Sequence, residues 1–189
     1  MIRNFFILAG ALLLAPLAFA QVAPSTTGGN GSIVIGAEAS AFRPDSLPGY
    51  TGGHVIGPGF FFDINLMPRW GAEGEARWLH WNGSGGQTQS HYLIGPRYRL
   101  LHWHTLSGWA KLMMGAGVES FPTKIGTGSY FAMAPGGDLD YRISPRIDLR
   151  LGYEYQYWPA APNIPTYPNN GMHPSGFSIG IGYRIIRQK

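Results

Sequence analysis

Cysteine is absent from all 189 residues. Its absence excludes a disulfide framework, a lipid-modified N-terminal cysteine and any thiolate metal site. Amphipathic helix is missing as well: after residue 20 no segment repeats its apolar residues with a helical period. No glycine-rich loop follows a strand and opens a helix, so Gly57-Pro58-Gly59 reads as backbone geometry rather than a phosphate site. A basic run is also lacking. The formal charge is +4, yet Lys and Arg are interleaved with Asp and Glu, which argues against nucleic acid as a partner. Neither a cofactor nor a metal is expected.

The first twenty residues, MIRNFFILAGALLLAPLAFA, combine Arg3, an apolar run from Phe5 and an Ala18-Phe19-Ala20 ending. This is the layout of a signal peptide cleaved before Gln21, so the mature chain is expected to be exported. Residues 21–30 are expected to form a flexible N-terminal segment, 31–186 one β-barrel, and 187–189 a C-terminal tail.

Twenty-eight glycines, fifteen prolines and abundant Tyr, Trp and Phe point to an all-β protein with many turns. The stretch RIDLRLGYEYQYW, residues 146–158, alternates strictly: Arg146, Asp148, Arg150, Gly152, Glu154 and Gln156 fall on one face, and Ile147, Leu149, Leu151, Tyr153, Tyr155 and Tyr157 on the other. Similar period-2 patterns predict eight strands, at 31–42, 54–66, 71–81, 90–100, 107–119, 129–142, 146–158 and 175–186. Most exceed the usual globular strand of about five or six residues and suit a tilted membrane-crossing strand. Long Gly/Pro-rich connections follow strands one, three, five and seven, and short ones (MPRW, LHWHTL, SPR) follow two, four and six. Long loops at one end and tight turns at the other predict an eight-stranded antiparallel up-and-down transmembrane barrel with both termini periplasmic.

Parity collects the charges on one face: Glu38, Asp63, Glu73, Glu75, Glu119, Asp138, Asp140, Asp148 and Glu154 with Arg77, Arg97, Arg99, Lys111, Arg142, Arg146, Arg150 and Arg184. Nine acids against eight bases give a formal sum of −1, and the four long loops contain only Arg43, Asp45 and Lys124. Wet loops with so little charge beside charged strands place that face in a lumen. The opposite face, with Trp78, Tyr92, Tyr98, Tyr153, Tyr155, Tyr157, Phe177 and Tyr183, is expected to meet lipid or form interfacial girdles, as are Trp70, Trp81, Trp103, Trp109 and Trp158 toward strand ends. Turning four of the eight bases toward lipid would cost on the order of 10 kcal/mol, which specifies the register strongly.

Centring the hairpin between strands three and four near Gly85 and Gly86 sets Glu73 opposite Arg99 and Glu75 opposite Arg97. Inward glycines such as Gly36, Gly59, Gly117 and Gly182 are expected to make room for long arginine side chains. The charges are expected to form a salt-bridge network that fills the interior rather than an ion pathway.

The segments GAEGEARWLHW, YLIGPRYRL, APGGDLDYRISPRIDLRLGYEYQYWP and GFSIGIGYRI resemble those of small eight-stranded outer-membrane barrels with an OmpA-like transmembrane domain, over essentially residues 31–186. The resemblance implies a bacterial outer-membrane protein delivered by the barrel insertion machinery and surrounded by outer-membrane lipid. Two departures stand out. The end, Ile186-Arg187-Gln188-Lys189, is not the terminal Phe of many relatives, and no peptidoglycan-binding domain follows, so a cell-wall tether is not implied.

An enzyme would need a nucleophile, a base and an orienting group together. His54, His80, Ser90, His91 and His173 are the candidates, but Ser90 and His91 point to opposite faces and no carboxylate sits beside them by spacing. His102 and His104 are two metal ligands without a third. The expected role is a structural or surface-interaction barrel with a largely plugged lumen. A narrow channel and, behind it, a lipid-modifying enzyme are the alternatives. The 159–174 loop is the expected contact for any surface ligand.

Overall fold

In a computed structural model the described residues are 31–44, 53–81, 87–121, 126–161 and 171–187. The signal-peptide and 21–30 expectations, and the tips of all four long loops, lie outside them. Eight strands follow one another: β1 (Ser32–Arg43), β2 (Val55–Asn65), β3 (Trp70–Trp81), β4 (Thr88–Trp103), β5 (Leu106–Phe121), β6 (Gly126–Ser144), β7 (Ile147–Tyr155) and β8 (Ser175–Arg187). Each pairs antiparallel with its sequence neighbours, and β1 pairs with β8 to close the barrel. Closure leaves no sheet edge unpaired.

Alternation along each strand decides what faces where. Outward positions are apolar and bare, as with Ile179 and Ile181 on β8, 56% and 59% exposed, beside buried Ser178, Gly180 and Gly182 on the same strand. The distribution is the reverse of a globular core: large hydrophobics outside, charges within.

The β3–β4 register differs from the expected one by four residues. Glu73 faces Gly95 and Glu75 faces Leu93 across the ladder, because β4 begins at Thr88 and runs long. A slip by an even number keeps every side chain on its face, so the charges stay inside while the pairs change. On β6 and β7, Asp140 stands opposite Arg150 and Arg142 opposite Asp148.

Register shifts at Ile33/Val34, Arg99/Leu101 and Arg142/Ser144 all sit toward the short-turn end. The second reverses the phase of β4, which brings His102 opposite Ser107. A two-residue turn joins β4 to β5, and His104 takes the left-handed conformation it demands, with φ 52°.

Two inward glycines make room for rings rather than for arginines. A Cβ on Gly117 would lie 2.2 Å from the Trp158 ring, and one on Gly36 would lie 2.1 Å from Phe61. Gly59 does meet the stem of Arg77, at 2.9 Å.

Candidate functional site: a layered barrel interior

The interior has three layers. The middle one is ionic. Arg77 on β3 reaches Glu38 at 2.5 Å, Glu75 at 2.9 Å and Glu154 at 3.1 Å. Lys111 on β5 contacts Glu73 at 2.8 Å, Asp138 at 3.3 Å and Glu154 at 3.7 Å, and also Glu75. Arg97 on β4 binds Asp63, Glu73 at 3.0 Å and Asp140 at 3.0 Å. Arg150 on β7 binds Asp63 at 2.5 Å, Asp140 at 2.8 Å and Glu73 at 3.6 Å. Four cations thus hold seven carboxylates in one connected network drawn from seven strands.

Burial of this kind removes the hydration of each ion, so three or four carboxylates around each cation offset a desolvation cost of several kcal/mol per charge. Aromatic faces help. The Arg97 guanidinium lies 4.1 Å from the Trp109 ring centroid and that of Arg150 3.9 Å from Phe61.

Toward the long loops the interior turns apolar. Phe42, Val55 and Leu79 form one cluster, and Leu93, Met113, Ala132, Ala134, Trp158, Ala161 and Met172 another. His91 joins them edge-on, 5.1 Å from Phe42 and 5.7 Å from Trp158, with Nδ1 2.9 Å from the Gln156 side-chain nitrogen. Backbone bonds between Trp158 and Met172 clamp the base of the last long loop, and the Trp158 indole donates to Gln156 at 2.8 Å. Above, Glu119 is buried with two amides, Gln87 and Gln89, and among the described residues it has no ion pair.

At the short-turn end, Asp148 takes Arg142 at 3.4 Å and Arg184 at 2.6 Å. Arg99 points inward beside Trp109, 5.6 Å from its ring, without a carboxylate partner among the described residues.

Several sequence expectations need correction here. Arg146 is not in the interior: β7 starts one residue later, and Arg146 sits exposed in the turn, donating to the Tyr183 hydroxyl at 3.0 Å. Arg99 does not pair with Glu73, nor does Glu75 with Arg97. Instead Arg97 reaches Glu73 diagonally and Lys111 joins Glu73 to Glu75. Trp109 and Trp158 are interior, at 7% and 0% exposure, not girdle residues. Trp70 and Trp103 do lie outside. The flanks of the 159–174 loop fold inward, with Ala161, Met172 and Pro174 buried, while residues 162–170 fall outside the described set.

The outward aromatics form ladders. Trp78 donates to the Tyr92 hydroxyl at 2.9 Å and packs edge-on to Phe60, Tyr98 meets Trp70, Tyr153 meets Phe177, and Tyr155 and Tyr157 flank His173.

Of the histidines, His80 and His54 are exposed and Ser90 is outward on the strand that points His91 inward. One contact had no sequence signal. His102 Nδ1 lies 3.0 Å from Ser107 Oγ, brought there by the β4 bulge.

No family model matches the sequence, and no curated protein matches it. Solved structures do, and they give the class: the chain has the fold of the small eight-stranded outer-membrane β-barrels. Neisserial surface protein A superposes with a TM-score of 0.65 at 13% identity, covering 83% of this chain and 97% of that one. OprG from Pseudomonas aeruginosa gives 0.57 at 12% identity, covering 83% and 97%. Ail of Yersinia pestis, solved in complex with the heparin analogue sucrose octasulfate, gives 0.51 at 20% identity, covering 83% and 99%.

Proposed function

We propose that this protein is an integral barrel of the bacterial outer membrane, structural or surface-interacting, with its lumen closed by the ionic layer and the aromatic cap above it. The observation that carries the reading is the reversed distribution: Arg77, Arg97, Lys111 and Arg150 are buried and each held by three or four carboxylates, while isoleucines, phenylalanines and tyrosines cover the outside. Only a hydrocarbon surrounding makes such an exterior stable, and across the middle layer all four cations are tied into the connected carboxylate network rather than left free to line a pathway.

In this reading the signal peptide is removed, the barrel insertion machinery places the chain, the termini and short turns are periplasmic, and the long loops face outward. The 159–174 loop, tethered inside by Trp158 and Met172, is the segment that would present a surface ligand. Ail was solved with a polyanion, but the long loops here carry only Arg43, Asp45 and Lys124, so charge is not the means by which they would recognise a partner.

Catalysis is not supported. His91 meets Gln156 and two rings, and at the His102–Ser107 pair the carboxylate opposite Ser107, Asp140, is held by Arg97 and Arg150 instead of orienting the imidazole. Planar-bilayer recording tests the closed lumen: protein that migrates heat-modifiably on gels should give no stable conductance steps, and regular steps would show a channel instead. Lipid A profiles unchanged between wild type and His91→Ala are expected; a modification present only in wild type would show an enzyme.

A further inference from the structure

The interior is electrically uneven. Its middle layer sets four cations against seven carboxylates, whereas the short-turn end sets Arg99, Arg142 and Arg184 against Asp148. Those side chains wall a cavity of about 250 Å³, shared with the side chains of Ser107 and Trp109.

Every carboxylate that reaches this cavity is already engaged. Asp63 and Asp140 are held by Arg97 and Arg150, and Asp148 by Arg142 and Arg184. The donors are not. Arg99 has no ion pair, alone among the inward cations of the described residues. Trp109 is 7% exposed and its indole N–H, which can only donate, has no acceptor among the described residues; Arg184 Nε has none there either. A buried donor left unmet costs about 1–3 kcal/mol; two such donors and the unpaired Arg99 outnumber the single unmet acceptor on the wall, Asn65 Oδ1, so the cavity is built to be completed by an acceptor. Surplus donors beside satisfied carboxylates complement an anion and disfavour a cation.

We propose that this cavity binds a small soluble oxyanion of the phosphate type, with Arg99 and the Trp109 indole as its principal donors. An arginine fork matches the geometry of phosphate oxygens, and the Ser107 hydroxyl supplies a further neutral donor when His102 Nδ1–H donates to it. The cavity is enclosed by inward side chains, so its ligand comes from the aqueous space at the short-turn end and not from a bilayer leaflet.

The test uses the full mature chain refolded in maltoside micelles, which contain no phosphate. The indole ¹H–¹⁵N resonance of Trp109, assigned with Trp109→Phe, is followed as inorganic phosphate replaces chloride at constant ionic strength. A saturable shift is expected in wild type. Arg99→Gln should weaken it by about tenfold or more, the loss of one charge-assisted contact. Arg146→Gln, whose exposed partner is the Tyr183 hydroxyl outside the barrel, should leave it unchanged. Heat-modifiable migration checks that each variant is folded. Arg99→Lys, which keeps the charge and loses the fork, should also bind more weakly and serves if the glutamine variant does not refold. A drift without saturation, an equal response in Arg99→Gln, or a shift produced by phosphatidylglycerol and not by phosphate would overturn the proposal.

Discussion

The middle and the short-turn end of this barrel are built from the same residue types and behave as different materials. In the middle, each cation touches three or four carboxylates and is sealed from solvent. At the short-turn end, Arg142 is 39% exposed at its side chain, Arg184 16%, and Arg99 has no carboxylate partner among the described residues. The difference teaches that burial, not the number of ion pairs, sets what a charge contributes: breaking a sealed pair strands its partner, whereas a wet charge loses little.

Substitutions sharpen that contrast in a graded series. Arg150→Met should do most damage, because Asp63 and Asp140 would each lose a buried counter-ion. Destabilisation of about 3–5 kcal/mol is expected from denaturant unfolding in micelles. A loss under about 1 kcal/mol would show that the network is wetter or looser than its geometry. Trp158→Ala follows, at about 3 kcal/mol or somewhat more, since it empties the space against Gly117 and removes the largest ring from the cluster that buries Met172. Conductance appearing in that variant alone would locate the closure at the aromatic cap. Ile179→Arg changes the exterior instead. It should cost about 2–4 kcal/mol in a bilayer if that position lies at mid-depth. Arg184→Gln is expected to cost about 1 kcal/mol or less, its pair being partly wet. Arg146→Gln should stay within about 0.5 kcal/mol, having only an exposed tyrosine hydroxyl to lose.

The fold was legible because period-2 alternation is long and is interrupted only toward the short-turn end. Asp148, Arg150 and Glu154 fall inward and Leu149, Leu151 and Tyr153 outward, as the 146–158 pattern requires. Two inward tryptophans were legible and were misread. Trp158 shares parity with Glu154 and Gln156, and Trp109 with Lys111, so extending parity would have placed both inside; aromatic identity near a strand end is the weaker signal. Register was not legible in the same way. Sliding β4 by four residues preserves every face, so alternation cannot distinguish Glu73 opposite Gly95 from Glu73 opposite Arg99. The His102–Ser107 contact depends on a bulge, which inserts a residue without marking the sequence. Arg146 shows the limit of parity at its ends, where a tight turn begins before the alternation stops.

The absence of native cysteine allows one comparison to test the inside-out arrangement directly. Ser178→Cys and Ile179→Cys are labelled in turn with a polarity-sensitive fluorophore, and the chain is reconstituted in vesicles containing brominated acyl chains. The probe at 179 should be blue-shifted and strongly quenched by bromine and the probe at 178 should not. A probe at 179 that is water-exposed and unquenched would contradict the account, since the Ile179 face would then not meet lipid.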